Sequence, residues 1–220
     1  MKSSCLRRLG AFVLLVPLLL PLSALARAQP LPVPAPKEFY FDEDAQTARP
    51  LVLYPGSDDA VQQRLLKVMN GKSRDANLAA AQLAHIAYAG NRADIGAVLY
   101  ERVRGVIDSN HRLYRSLLWN QGWDLYRAGD AAGALANWRQ AGAEAFNNPV
   151  WVPPTLALAL WTLDRRDAAV RWYAAAVRTE PTRWSNPANL PALLPDWREQ
   201  DRATLAEIAA AWKQAPPAWP

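Results

Sequence analysis

From Ser57 onward, apolar residues return with the 3.6-residue period of an α-helix rather than the two-residue period of a strand. Val61, Leu65, Leu66 and Met69 follow a Ser57-Asp58-Asp59 cap and acidic first turn, and Asn70-Gly71 ends the run. A helix pair is predicted over about 75–89 and 92–107, broken at Gly90-Asn91, and a second over about 111–128 and 131–146, broken at Gly129-Asp130. Glycine at such a break allows the positive φ that a helix C-terminus favours, and Asp130 is placed to cap the next helix. The third pair opens at Pro153-Pro154, where first-turn amides lack intrahelical partners anyway. Thr155 to Leu163 carries no charge on any face, which predicts a helix buried on nearly all sides at the centre of the fold, covered by a helix at about 166–179. Leu205, Ile208, Ala209 and Trp212 then form an amphipathic stripe over about 201–213, with Asp201, Arg202 and Glu207 as its expected polar back. Between these helices, Trp184 to Trp197 is punctuated by Pro187, Pro191 and Pro195 and reads as irregular with one short turn.

Two of these pairs echo each other 35 residues apart. Gly122, Leu125, Ala134, Trp138 and Ala141 stand at relative positions 8, 11, 20, 24 and 27, and Ala157, Leu160, Ala169, Tyr173 and Ala176 repeat them, with Pro181 at position 32. A period of about 34 residues marks stacked helix pairs: small residues let two helices approach and one large residue fills the remaining gap. The stretch Gly122 to Trp138 resembles a tetratricopeptide repeat, and Ala169 to Pro181 resembles the second half of another. Departures are Leu118 and Pro153 at position 4, where the family carries tryptophan, and Phe146 at position 32 of the first copy, with Pro149 three residues later. A weaker copy lies on 77–108, with Ala84, Ala87, Gly96, Tyr100 and Val103 in register, and the two better ones on 115–148 and 150–183. The resemblance implies an all-α, right-handed helical-repeat solenoid of antiparallel helix pairs over 57–214, closed by the C-terminal capping helix, followed by a tail at 215–220 and used for protein interaction.

The ends change the electrostatic picture. Lys2, Arg7 and Arg8 precede an apolar run from Ala11 to Leu22, and Ala26-Arg27-Ala28 offers a small-x-small cleavage pattern, so residues 1–28 read as an export signal removed after Ala28. The run is too short to span a bilayer, which takes about 20 residues. The full chain has 25 Lys and Arg against 20 Asp and Glu; removing Lys2, Arg7, Arg8 and Arg27 leaves 21 against 20. A near-neutral, interspersed surface argues against a nucleic-acid or anionic-membrane partner. Cys5, the only cysteine, leaves with the signal, which excludes disulfides and cysteine chemistry. Periplasmic or secreted localisation follows as the expectation, with no stable membrane insertion after cleavage. Residues 29–56 are expected to be an extended segment: Pro30 to Pro36 alternates proline with apolar residues in a polyproline II pattern, and Phe39, Tyr40, Phe41 and Asp42-Glu43-Asp44 follow. It reads either as a linker whose aromatics pack on the first helices above a solvated acidic turn, or as a strap along the groove.

All ten tryptophans lie between Trp119 and Trp219, a density that asks for partners for their indole N–H groups. The resemblance implies that positions 2, 5, 9, 12 and 13 of each pair face a concave groove. These are Ser116, Trp119, Trp123, Tyr126 and Arg127, then Trp151, Pro154, Leu158, Trp161 and Thr162, with His85 and Tyr88 from the weak copy. Such a groove would hold an extended or helical partner on aromatic anchors, Arg127 orienting a carboxylate or carbonyl. The same rings are alternatively buried by the protein's own ends, since Trp197, Trp212 and Trp219 sit in segments able to fold back. Exposed tryptophans also stack on sugar faces, which makes a glycan or muropeptide ligand the second reading. Catalysis finds no motif: His85 and His111 have no HExxH spacing, and no phosphate loop, nucleophile elbow or clustered metal ligands appear, so neither cofactor nor metal is expected.

Overall fold

A computed structural model describes residues 32–33, 35–36, 41–145 and 148–218. The expected signal at 1–28, Phe39, Tyr40, Phe146 and Trp219 lie outside the described residues. The chain is all-helical, with helices packed in adjacent pairs: α1 (Asp59–Asn70), α2 (Ala76–Ala89), α3 (Ala93–Arg104), α4 (Tyr114–Arg127), α5 (Ala131–Ala143), α6 (Val152–Thr162), α7 (Arg166–Thr179), the short α8 (Pro181–Trp184) and α9 (Leu190–Leu193), and α10 (Glu199–Gln214). The predicted helices stand, with earlier ends at Arg104 and Ala143. Where the sequence predicted α4 from about 111, it begins at Tyr114, because Asp108 accepts the Asn110 amide at 3.0 Å and holds 108–113 in turns.

The three turns inside the pairs are built alike. Asn91 (φ 57°), Gly129 (φ 92°) and Asp164 (φ 58°) are left-handed, and each falls at position 15 of its copy. The residue that follows donates its amide five residues back, Arg92 to Ala87, Asp130 to Leu125 and Arg165 to Leu160, each at 2.8 Å. This is the Schellman closure, in which a left-handed residue lets two amides satisfy helix-end carbonyls. In the α2–α3 turn it is Asn91 that takes the positive φ, while the predicted Gly90 stays at −88°. Asparagine tolerates this region because its short polar side chain bonds locally. Asp130 caps α5 as expected, accepting from Gly133 at 2.8 Å.

Packing follows the small-large code. Tyr100, Trp138 and Tyr173, all at position 24, are fully enclosed, as are Ala84 and Ala157 at position 8 of the first helices and Ala134 and Ala169 one turn before the rings on the second. Trp151 to Leu160 are buried without exception, so the chargeless α6 is central. α10 covers α6 and α7 with Leu205, Ile208 and Ala209. One expectation is corrected there: Asp201 is only 2% exposed and receives two N–H groups of Arg198 at 2.9 and 3.0 Å, and the half-buried Arg202 donates to the Leu194 carbonyl, so of the three expected polar residues Glu207 alone faces solvent, joined by Glu199 and Lys213. In α1, Val61, Leu65 and Met69 are buried, whereas Leu66 faces solvent. The segment expected to hold one short turn, 184–197, begins at the end of α8 and holds a 3₁₀ turn at Pro187–Asn189 and α9.

Candidate functional site

The inner surface of α4 is where most of the aromatic residues meet. The sequence of this helix places Trp119 and Trp123 one turn apart, and their rings stand edge to face with centroids 6.0 Å apart. Trp123 also packs against Trp138 of α5 at 5.0 Å and against Trp197 at 4.7 Å. Trp151, at the N-terminus of α6, and Trp184, at the end of α8, complete the wall. A cavity of about 340 Å³ remains between Trp119, Trp123, Trp151, Trp184 and Trp197, with Trp138 behind it, bounded further by Pro50, Pro154, Thr155, Leu194 and Pro195 and by the polar groups of Glu43, His85, Asn120, Asp124, Arg127, Arg183 and Asp196.

Two segments of the chain itself bound this space. The first is the stretch before α1, which lies along α4 as a strap. Asn120 donates to the Arg49 carbonyl at 2.9 Å and accepts the Leu51 amide at 3.3 Å. Asp44 pairs with Arg115 at 2.5 Å and accepts the Trp151 indole N–H at 3.1 Å, while Asp42 exchanges backbone hydrogen bonds with Asn148 and Val150. Asp44 is therefore an anchor, which corrects the expectation of a solvated acidic turn. The second is the proline-punctuated stretch after α7: Tyr173 donates to the Trp184 carbonyl at 2.6 Å, and burial pushes that phenol up to about 12.

At one end of the cavity the floor is ionic. Asp124, 3% exposed, accepts from Tyr100 at 2.6 Å and lies 2.7 Å from His85 Nδ1, tying α2 and α3 to α4. The hydrogen bond to Asp124 raises the His85 pKa above its ordinary value, partly opposed by burial and helped by the Asp124 charge; Arg127 acts against it. Tyr100 is held well above its ordinary value by burial and by the same carboxylate. Arg127 lies 5.2 Å above the Trp123 ring, and burial lowers its pKa, with Arg198 adding to the effect. No carboxylate lies within ion-pair distance of Arg127 among the described residues. His85, Asp124 and Arg127 also border a second cavity of about 370 Å³ with Tyr88 and Arg198.

The predicted groove residues thus divide. Trp119, Trp123, Arg127, Trp151, Pro154 and His85 converge on the main cavity, and Tyr88 on the neighbouring one. Leu158 is fully enclosed in the core, and Ser116 is buried, donating to the Leu113 carbonyl at 3.1 Å. Tyr126 and Trp161 serve elsewhere: the Tyr126 hydroxyl meets Thr162 at 3.0 Å, and Trp161 donates to Glu207 of α10 at 3.1 Å beneath Arg166. Tyr126 is thus engaged by α6 and Trp161 by α10. Sequence reasoning missed Asp124, whose signal is that it is the one carboxylate of α4. It also left undecided whether Trp197 folds back, which it does.

Comparison with family models, curated proteins and solved structures returns no match. Among the described residues, no helix is long and apolar enough to cross a membrane, and no cluster of three or more His, Cys, Asp and Glu is arranged to hold a metal ion.

Proposed function

We propose that this protein is a non-enzymatic adaptor of the bacterial cell envelope, a tetratricopeptide-like solenoid that holds a segment of another protein against its tryptophan-lined cavity. The observation that carries this reading is the convergence of Trp119, Trp123, Trp151, Trp184 and Trp197 on one space of about 340 Å³, with Arg127 in its wall. Aromatic and arginine side chains gathered in a concave site are the usual energetic anchors of recognition. The three equivalent helix-pair turns and the sealing rings at position 24 support a repeat scaffold. The basic start, apolar run and Ala26-Arg27-Ala28 support export and a periplasmic or secreted location.

A photoreactive residue placed at position 119, with another at exposed position 98 on α3 as control, tests the reading in the intact envelope. The expected result is one polypeptide captured reproducibly from 119 and not from 98, with capture lost in Arg127→Gln. Equal capture at both positions, or none at 119, contradicts it. Muropeptides that compete for position 119 while no polypeptide is captured would replace it with the glycan reading.

A further inference from the structure

We propose that the cavity's ligand is a proline turn of a partner, of apolar-Pro-acidic-aromatic sequence, which takes the seat now filled by the protein's own Leu194-Pro195-Asp196-Trp197. This inference rests on the groove reading above and gives the chemistry of what the groove receives.

The molecule already shows what fits. Leu194, Pro195, Asp196 and Trp197 all border the cavity, and the Trp197 amide donates to the Leu194 carbonyl at 3.2 Å, closing a four-residue turn. Proline at the second position and aspartate at the third suit such a turn, because proline presets φ and aspartate tolerates the position after it. The Trp197 ring meets Trp123 edge to face, and only 9% of the residue stays exposed. A foreign turn of the same sequence would find the same aromatic seat.

Beyond the packing of its tryptophan, the resident turn is held, among the described residues, by hydrogen bonds only from its own end of the chain, the Leu194 amide donating to the Leu190 carbonyl at 2.9 Å. Among the described residues no backbone hydrogen bond joins it to α4 or α6; its carbonyl groups instead accept from a single side chain, Arg202 of α10, which reaches Leu194 at 3.1 Å and also Trp197. Two features of the seat remain unsatisfied with this turn in place. The indole N–H groups of Trp119 and Trp123 are enclosed and have no acceptor. A buried donor without an acceptor carries a desolvation cost that an arriving carbonyl removes. Arg127, above the Trp123 ring, has no paired carboxylate among the described residues, although the exposed Asp196 borders the same cavity. A turn free of α10 can settle deeper than one tethered to it, bringing its acidic side chain to Arg127 and its carbonyls to the two indoles. The resident turn acts as a placeholder that keeps the rings covered until a partner supplies a better copy.

Calorimetric titration with acetyl-Leu-Leu-Pro-Asp-Trp-amide, the sequence of residues 193–197, tests this on the full chain and on two variants. Trp197→Ala empties the seat, and Arg202→Ala frees the turn without removing a buried ring. Each folded variant should bind the peptide about tenfold or more tighter than the unaltered chain, because apparent affinity falls with the fraction of seats that are vacant. A peptide with alanine for proline and lysine for aspartate should not bind. Folded variants that bind no tighter than the unaltered chain overturn the proposal. If both variants lose their helical circular dichroism, the unaltered chain decides: millimolar peptide must shift the indole N–H signals of Trp119 and Trp123, and unmoved signals overturn the proposal. A partner captured from position 119 that the peptide fails to displace leaves the groove reading standing and removes only the turn chemistry.

Discussion

The pairs α2–α3 and α4–α5 solve one packing problem with the parts exchanged. In α4–α5 the glycine is on the first helix: a Cβ on Gly122 would overlap the Trp138 ring, which is fully enclosed and donates its indole N–H to the Trp119 carbonyl at 3.1 Å. In α2–α3 the glycine is on the second helix: a Cβ on Gly96 would overlap Tyr88, while Tyr100 seals the pair and spends its hydroxyl on Asp124 of the next one. What the two pairs share is a gap and a ring that fills it. Which helix supplies the gap, and where the polar tip of the ring points, are free to vary. The difference has a consequence for function. Trp138 bonds within its own pair and leaves Trp119 and Trp123 to face the cavity, whereas Tyr100 reaches across and, with His85, binds the cavity's ionic floor together.

The sharpest way to break the comparison is to remove a sealing ring. Trp138→Ala should destabilise the fold by about 3–5 kcal/mol, the range for truncating a large buried aromatic residue, read as a drop in the denaturation midpoint. It should also disturb the cavity, since Trp123 would lose the ring that backs it. Tyr100→Phe keeps the ring and deletes only its bridge to Asp124; a hydrogen bond to a charged group predicts a loss of about 1.5–3 kcal/mol in chemical denaturation. No change on that substitution would mean that the link between pairs is idle.

The glycine exchange gives the next test. Gly122→Ala should cost about 1–3 kcal/mol through overpacking, because the Trp138 ring has no room to move. Gly96→Ala should cost less, since Tyr88 is only half-buried and borders a cavity into which it can swing. Equal losses would show that the two gaps are alike after all. Smallest of all is a pH effect. The folded state raises the His85 pKa, so the stabilisation from its pair with Asp124 is complete below the unfolded histidine value and is lost as pH rises through the folded one. With 48% of the side chain exposed, solvent screening keeps this contribution under about 1 kcal/mol. His85→Gln should flatten the slope of stability against pH around neutrality, and an unchanged slope would assign it to other groups.

Much of the scaffold was legible in the chain because it depends on local rules. Breaks at Gly90-Asn91 and Gly129-Asp130, the small residues at positions 8 and 20 and the ring at 24 are each fixed within one or two turns of helix. The site was legible only in part. Trp119, Trp123 and Trp151 were expected at the groove and line the cavity, but Tyr126, Leu158 and Trp161 were not separable from them by spacing. Their fates are set by contacts made elsewhere in the chain: Tyr126 meets Thr162, Trp161 meets Glu207, and Leu158 enters the core. Likewise, nothing local to Asp44 announces that Arg115 and Trp151 will hold it, 71 and 107 residues away. Asp201 misled for a different, local reason: read on a helical wheel it belonged to solvent, whereas it is buried under the fork of Arg198 three residues before it.

On the proposed function, a partner enters the space between the five tryptophans rather than meeting the outer surface of the helix pairs. Indole N–H spectra of the tryptophan-labelled protein report on it directly, because Trp119 and Trp123 have no acceptor in the free molecule while Trp138 and Trp161 are already bonded. On addition of the segment captured from position 119, large shifts are expected at Trp119, Trp123 and Trp197, with Trp138 and Trp161 unmoved. Shifts confined to Trp161, or to none of the ten, would contradict it.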